Sequence, residues 1–270
     1  MKHLLLLALG LASSAAIAQD MPIFDAHIHY SHDAVIQVPP KEAAAILRKA
    51  GLKKAMVSSS DDYGTQAIYK EAPEIVVRAL RPYRNRGEIN TWVNDPTVIT
   101  YLESRLAKFE YEAIGEFHAY GADIEKPVLK RMIALAKKHN LLLHAHSDAD
   151  AVDRIFKAYP EARVLWAHSG FDRPEDIRAM LRKHKNLWSD LAFRNDHASN
   201  GKVAEEWRAA FMEFPDRFMV GTDTFAPERW YYINSHAEYT RGWLKDLPES
   251  IAHNIAYKNA EKMLSLENEK

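Results

Sequence analysis

The sequence contains no cysteine. That excludes disulfide staples, thiolate catalysis and cysteine-ligated zinc, so any metal must be held by His, Asp or Glu. Charge of one sign is also missing: 36 basic residues against 37 acidic ones leave a formal net charge of −1. A balanced surface gives no electrostatic footprint for nucleic acid or an anionic membrane, and neither is expected as a partner. No apolar run reaches the length of a membrane span. No Gly/Ser linker or fixed-period repeat divides the chain, and no Gly-rich phosphate turn follows the first apolar strand. That last absence weighs against a doubly wound nucleotide-binding sheet.

What is there starts with a short basic segment, Lys2-His3, an apolar run from Leu4 to Ala12, and small residues at Ala16 and Ala18. This pattern predicts a signal peptide over residues 1–18 and an exported protein, periplasmic or secreted. Its removal takes Lys2 with it, moves the formal charge to −2 and leaves 252 residues, 19–270. That is the usual size of one (β/α)8 barrel.

Through those residues, apolar β-rich runs alternate with amphipathic helical ones. Strands are predicted at 23–29, 53–58, 74–80, 111–117, 141–146, 163–168, 187–193 and 217–222. Helices are predicted near 40–50, 63–71, 96–109, 126–138, 149–158, 174–183 and 203–214, with a helical tail to Leu266. Asp95 is the expected N-cap of the 96–109 helix, with proline at its first position. Eight strand–helix alternations in this length predict a single α/β domain, a (β/α)8 TIM barrel.

Asp25-Ala26-His27-Ile28-His29 ends the first strand. Residues two apart on a strand face the same side, so His27 and His29 can reach one ion together. In a barrel the carboxyl ends of the strands carry the active site. The fourth strand ends in Gly115-Glu116, the fifth in His144-Ala145-His146, the sixth in His168 and the eighth in Gly221-Thr222-Asp223. Each offers a ligand suited to zinc or a similar divalent ion, and a shared ion explains why polar groups end apolar strands.

Taken together these motifs resemble the amidohydrolase superfamily, especially its amidohydrolase-related branch and the TatD-like metal-dependent hydrolases. The likeness spans nearly the whole mature chain, including the closing Asn259-Ala260-Glu261-Lys262-Met263-Leu264. It implies a small-molecule hydrolase with one or two divalent ions per chain, zinc first and manganese second. His27, His29, Glu116, His146, His168 and Asp223 are the implied ligands. Alignment to the family pattern places the fifth-strand ligand at His146, with His144 and Asp25 one layer behind. No lysine ends the fourth strand, so a carboxylated-lysine bridge is not expected and Glu116 is the candidate for that role.

The expected chemistry is attack by an activated water on an ester, amide, lactone or phosphoester. Such an ion lowers the pKa of water from about 16 towards 7. Asp223 would accept the proton and pass it on, and His168 would polarise the scissile oxygen. Arg81, His118 and Arg194 follow strands and are candidates for substrate binding. Two alternatives stay open: a metal-dependent decarboxylase in which Arg194 grips the substrate carboxylate, and a non-catalytic exported binding protein.

Overall fold

The computed structural model describes residues 21–265. The predicted signal peptide at 1–18 lies outside the described residues. Among them no helix is long and apolar enough to cross a membrane.

Eight parallel strands follow one another in sequence order around one sheet. They are β1 Ile23–His29, β2 Leu52–Ser58, β3 Val76–Leu80 and β4 Ala113–His118. The second half is β5 Leu142–His146, β6 Val164–Trp166, β7 Leu187–Asp190 and β8 Phe218–Met219. Every neighbouring pair is parallel, as right-handed crossovers through helices require. Backbone bonds join the last strand to the first: Ala26 N–H donates to the Val220 carbonyl (2.9 Å) and Asp223 N–H to the His27 carbonyl (2.7 Å). The chain is a single (β/α)8 barrel.

Two apolar layers result. The outer one lies between strands and helices and includes Ile28, Val57, Leu143, Val164 and Leu187. The inner one takes a residue from each strand: Phe24, Met56, Ala79, Ala113, Leu142, Leu165, Trp188 and Met219. Ala260 and Met263 of the closing helix Asn259–Ser265 complete it from below. This ring fills the floor of the barrel with side chains, as period-2 alternation in a small barrel demands.

Element bounds differ from the sequence reading mainly at strand ends. The helix expected from Pro96 runs from Thr97 to Leu106 with Pro96 at the cap position. Asp95 still serves its start, because its carboxylate accepts from Thr97 N–H (2.9 Å). The sixth strand stops at Trp166 rather than His168, and the seventh at Asp190 rather than Phe193. In both places the chain turns through left-handed backbone, which ends β pairing: φ is 55° at His168 and 61° at Phe193.

Candidate metal centre

Two residues beyond the apolar ring, the barrel interior becomes polar. Met56 gives way to Ser58, Ala79 to Arg81, Leu142 to His144 and Trp188 to Asp190. The period-2 geometry of each strand points both members of each pair inward. On β1 the pattern is adjusted. Phe24 and Ala26 belong to the inner cluster and Ile28 to the outer one, and the pairing with β2 slips between Asp25 and Ile28. The extra residue changes the inward parity, so that His27 and His29 face the interior.

Glu116 reaches the same centre because β4 passes very close to β5. A Cβ at Gly115 (φ 135°) would lie 2.2 Å from the His144 carbonyl oxygen, so only glycine fits there. On the next loop Gly170 is required by Trp166, whose ring would be 2.1 Å from an added Cβ. The chain can therefore fold tightly enough to aim His168 inward.

Around one point, His29 Nε2 lies 3.1 Å from His27 Nε2, 3.1 Å from Glu116 Oε2 and 3.4 Å from Asp223 Oδ1. His27 Nε2 is 3.6 Å from Glu116 Oε1 and 3.8 Å from Asp223 Oδ1. His168 Nε2 is 3.3 Å from Glu116 Oε1 and 3.9 Å from Asp223 Oδ2. All five side chains are buried. Ligand atoms about 2.0–2.1 Å from a tetrahedral ion stand roughly 3.3–3.4 Å apart, and the observed separations bracket that spacing.

The far nitrogens of the imidazoles are already engaged. His27 Nδ1 donates to Asp190 Oδ2 (3.1 Å) and His168 Nδ1 to the Ala192 carbonyl (3.0 Å), both acceptors only. His29 Nδ1 meets the Ser58 hydroxyl at 2.9 Å. With these outer bonds fixed, the rings in the neutral form that binds a metal turn their Nε2 lone pairs towards one common point. Asp223 Oδ1 is buried with no hydrogen-bond partner, a costly state for a carboxylate oxygen. Among the groups facing this space, the three carboxylates of Glu116, Asp190 and Asp223 stand against the single guanidinium of Arg81, so the site favours positive charge, whether on protonated His27 or on a bound cation. The residues fit a metal ion.

The titration behaviour follows from these contacts. Burial opposes protonation of His27, but Asp190, Glu116 and Asp223 outweigh it and hold its pKa well above the ordinary value. His29, buried and close to Arg81, is held well below it. Burial also works against ionisation of Glu116, yet His27, His146 and His168 keep it well below the usual carboxylate range. Asp223 is raised by burial and by the neighbouring Glu116, which suits a group that must take up a proton.

The remaining candidates fall into two sets. His146 donates through Nδ1 to Glu116 Oε1 (2.7 Å), and His118 stacks on it at 4.1 Å. With Glu116 these two form a second possible ion-holding group, so His118 stands among potential ligands and not only at the pocket wall. His144 lies behind His27, its ring 4.4 Å away and its Nε2 3.2 Å from Asp190; burial brings its pKa down to about 4. Asp25 lies deeper, accepting from His27 N–H and from both the N–H and hydroxyl of Thr222, and burial pushes its carboxyl up to about 7.

Arg81 donates to Glu116 Oε2 (2.8 Å) and to the Glu116 carbonyl, a buried ion pair on the site wall. Arg194 is engaged beside the site, donating to the His168 carbonyl (3.4 Å). It forms a two-pronged bond with Asp196 and lies over Trp207, 4.8 Å from the ring centroid. Sequence reasoning missed Asp190, which accepts from His27, His144, the His168 N–H and the Ala192 N–H. The available signal was its position two residues after Trp188, the place His144 holds after Leu142.

The family model described as Amidohydrolase matches residues 24–266. No curated protein matches the sequence. Among solved structures, an uncharacterised TIM-barrel protein of Bordetella bronchiseptica is similar at 13% identity and a TM-score of 0.62, covering 90% of this chain and 98% of its own. A candidate 2-pyrone-4,6-dicarboxylic acid hydrolase of Pseudomonas putida is similar at 12% identity and a TM-score of 0.57, covering 92% and 98%. Aminofutalosine deaminase of Helicobacter pylori is similar at 14% identity and 0.56, covering 90% and 73%.

Proposed function

Because the chain belongs to the amidohydrolase family, we propose that it hydrolyses a small molecule at a carbonyl or phosphoryl centre, using a divalent ion at the top of the barrel. The observation that carries this reading is the convergence of three Nε2 atoms on Glu116, with those of His27 and His29 also close to the unpartnered Oδ1 of Asp223. His27, His29, His168, Glu116 and Asp223 would hold the ion, zinc before manganese given the nitrogen-rich donor set. Bound there, a divalent cation supplies Lewis acidity and makes water a competent nucleophile near neutral pH.

The residues of the chain do the rest. Asp223 accepts the proton of the attacking water and returns it to the leaving group. His168, with Nδ1 fixed on the Ala192 carbonyl, keeps its Nε2 lone pair turned into the site, where it would hold the ion. Arg81 holds Glu116 in place through two hydrogen bonds. Asp190 fixes the orientation of His27 and the backbone at His168.

Hydrolysis is preferred over decarboxylation because Arg194, the residue that would grip a substrate carboxylate, is neutralised by Asp196. The test is chelation of the purified protein followed by panels of esters, amides, lactones and phosphoesters. Activity should vanish and return with zinc or manganese. Hydrolysis indifferent to chelation would remove the proposal, and carbon dioxide release from aromatic or enoic acids would replace it with the decarboxylase.

A further inference from the structure

The mouth of the barrel carries aromatic rings that packing does not account for. Phe171 is 53% exposed, Phe193 40% and Phe225 48%, although phenylalanine is among the residues most often fully buried. Phe171 lies flat on His168, ring centroids 4.6 Å apart and planes inclined by 17°. Phe193 presents its ring edge-on to His168 at 6.2 Å, and Phe225 stands 5.6 Å from Phe193. Arg229 lies over both Phe193 (4.4 Å) and Phe225 (5.5 Å) while donating to the carbonyls of Thr222 and Asp223. The rings are thereby tied to the loop that carries Asp223.

The backbone adds a second, independent observation. Phe171 and Phe193 have φ of 56° and 61°, in the left-handed region that bulky side chains seldom adopt. Glycine would occupy either position without strain. Each ring is therefore unfavourable twice over, in its backbone and in its exposure to water, and neither feature helps the chain fold. Strained residues cluster at functional sites, ligand clamps among them. Of the nearby arginines, Arg81 is paired with Glu116, Arg86 with Asp33 and Arg194 with Asp196, while Arg229 lies against the rings and gives Nε and Nη2 to backbone carbonyls.

We infer that the substrate carries a flat apolar or aromatic group beside the bond that is cleaved, received by the rings of Phe171, Phe193 and Phe225. Aromatic faces and edges are suited to such a group by offset stacking and edge-to-face contact. This inference rests on the hydrolase reading given above.

The test compares the zinc-loaded wild type with Phe171→Gly, Phe193→Gly and the double variant, using 2-naphthyl acetate and ethyl acetate. Glycine suits the left-handed backbone, so the variants should melt no lower than wild type. The ratio of kcat/KM for the naphthyl ester to that for the ethyl ester should fall at least tenfold in the double variant. Intrinsic ester reactivity cancels in that comparison. In parallel, the binding preference for benzohydroxamate over acetohydroxamate, measured calorimetrically, should fall by a similar factor. Folded variants that keep both ratios would overturn the inference. A wild type inactive on these esters and on the amide, lactone and phosphoester panels would overturn the hydrolase reading instead, and the hydroxamate preference would then decide the role of the rings alone.

Discussion

The same eight strands build two unlike interiors. The floor of the barrel is a ring of Phe24, Met56, Ala79, Ala113, Leu142, Leu165, Trp188 and Met219, closed by Ala260 and Met263. One step nearer the carboxyl ends, the wall carries Ser58, Arg81, His144 and Asp190 with the ligand set above them. The floor is held together by area removed from water, a force without direction. The upper ring is just as buried but consists of groups that are costly to bury unless each meets a partner in the right place. The difference teaches that burial alone does not mark a core. The lower ring is interchangeable within limits of volume, and the upper one is fixed by geometry.

The largest expected effect separates the two rings through chemistry. Asp223→Asn should lower kcat by about a thousandfold, within the range for loss of a general base. With both proteins stripped of metal, its melting temperature should match or exceed that of the wild type, since an unpartnered buried carboxylate has been neutralised. A variant that melts lower and reacts normally would erase the distinction. The floor should behave in the opposite way: Leu165→Ala is expected to cost about 2–5 kcal/mol of stability in denaturant titration, while the folded fraction keeps its kcat.

Next comes Asp190→Asn, which leaves the shape of the upper ring but weakens the acceptor that orients His27. Zinc affinity, measured against a competing chelator, should fall about 10–100-fold, the usual consequence of losing a group that orients a metal-bound histidine. Unchanged affinity would mean that Asp190 serves packing only.

His197 sharpens the comparison from outside the barrel. It is buried, its Nδ1 has no partner, and its ring packs against Trp243 at 4.9 Å. Burial brings its pKa down to about 4. Below the unfolded value of about 6.5 the unfolded chain takes up a proton that the folded chain refuses, so stability is lost as pH falls from about 6.5 to about 4. His197→Phe should remove about 2 kcal/mol of that loss at pH 5, read as a shallower acid limb in melting temperature against pH. An identical acid limb would show that the buried imidazole is not what titrates.

How much of this could be read from the sequence depends on where each signal resides. The barrel, its strand order and the His27–His29 pair were legible because strand periodicity and local spacing carry them. Glu116, His146, His168 and Asp223 were found by asking what each strand offers at its end. Asp190 was not, since the run from Leu187 to Phe193 hides one acidic residue among apolar ones and its partners His27 and His144 lie far off in sequence. Phe171 and Phe193 escaped notice because their meaning lies in backbone angles and exposure, which no spacing records. Arg194 looked available in the sequence. Its neutralisation by Asp196, two residues on, depends on how that loop curls against Trp207.

The plug formed by Ala260 and Met263 has a kinetic corollary. A vessel stoppered at one end has a single doorway, so whatever is made inside must leave by the route the reactant came in. Spent molecules and fresh ones then compete for the same threshold, and accumulating product should slow the reaction as a simple rival of substrate.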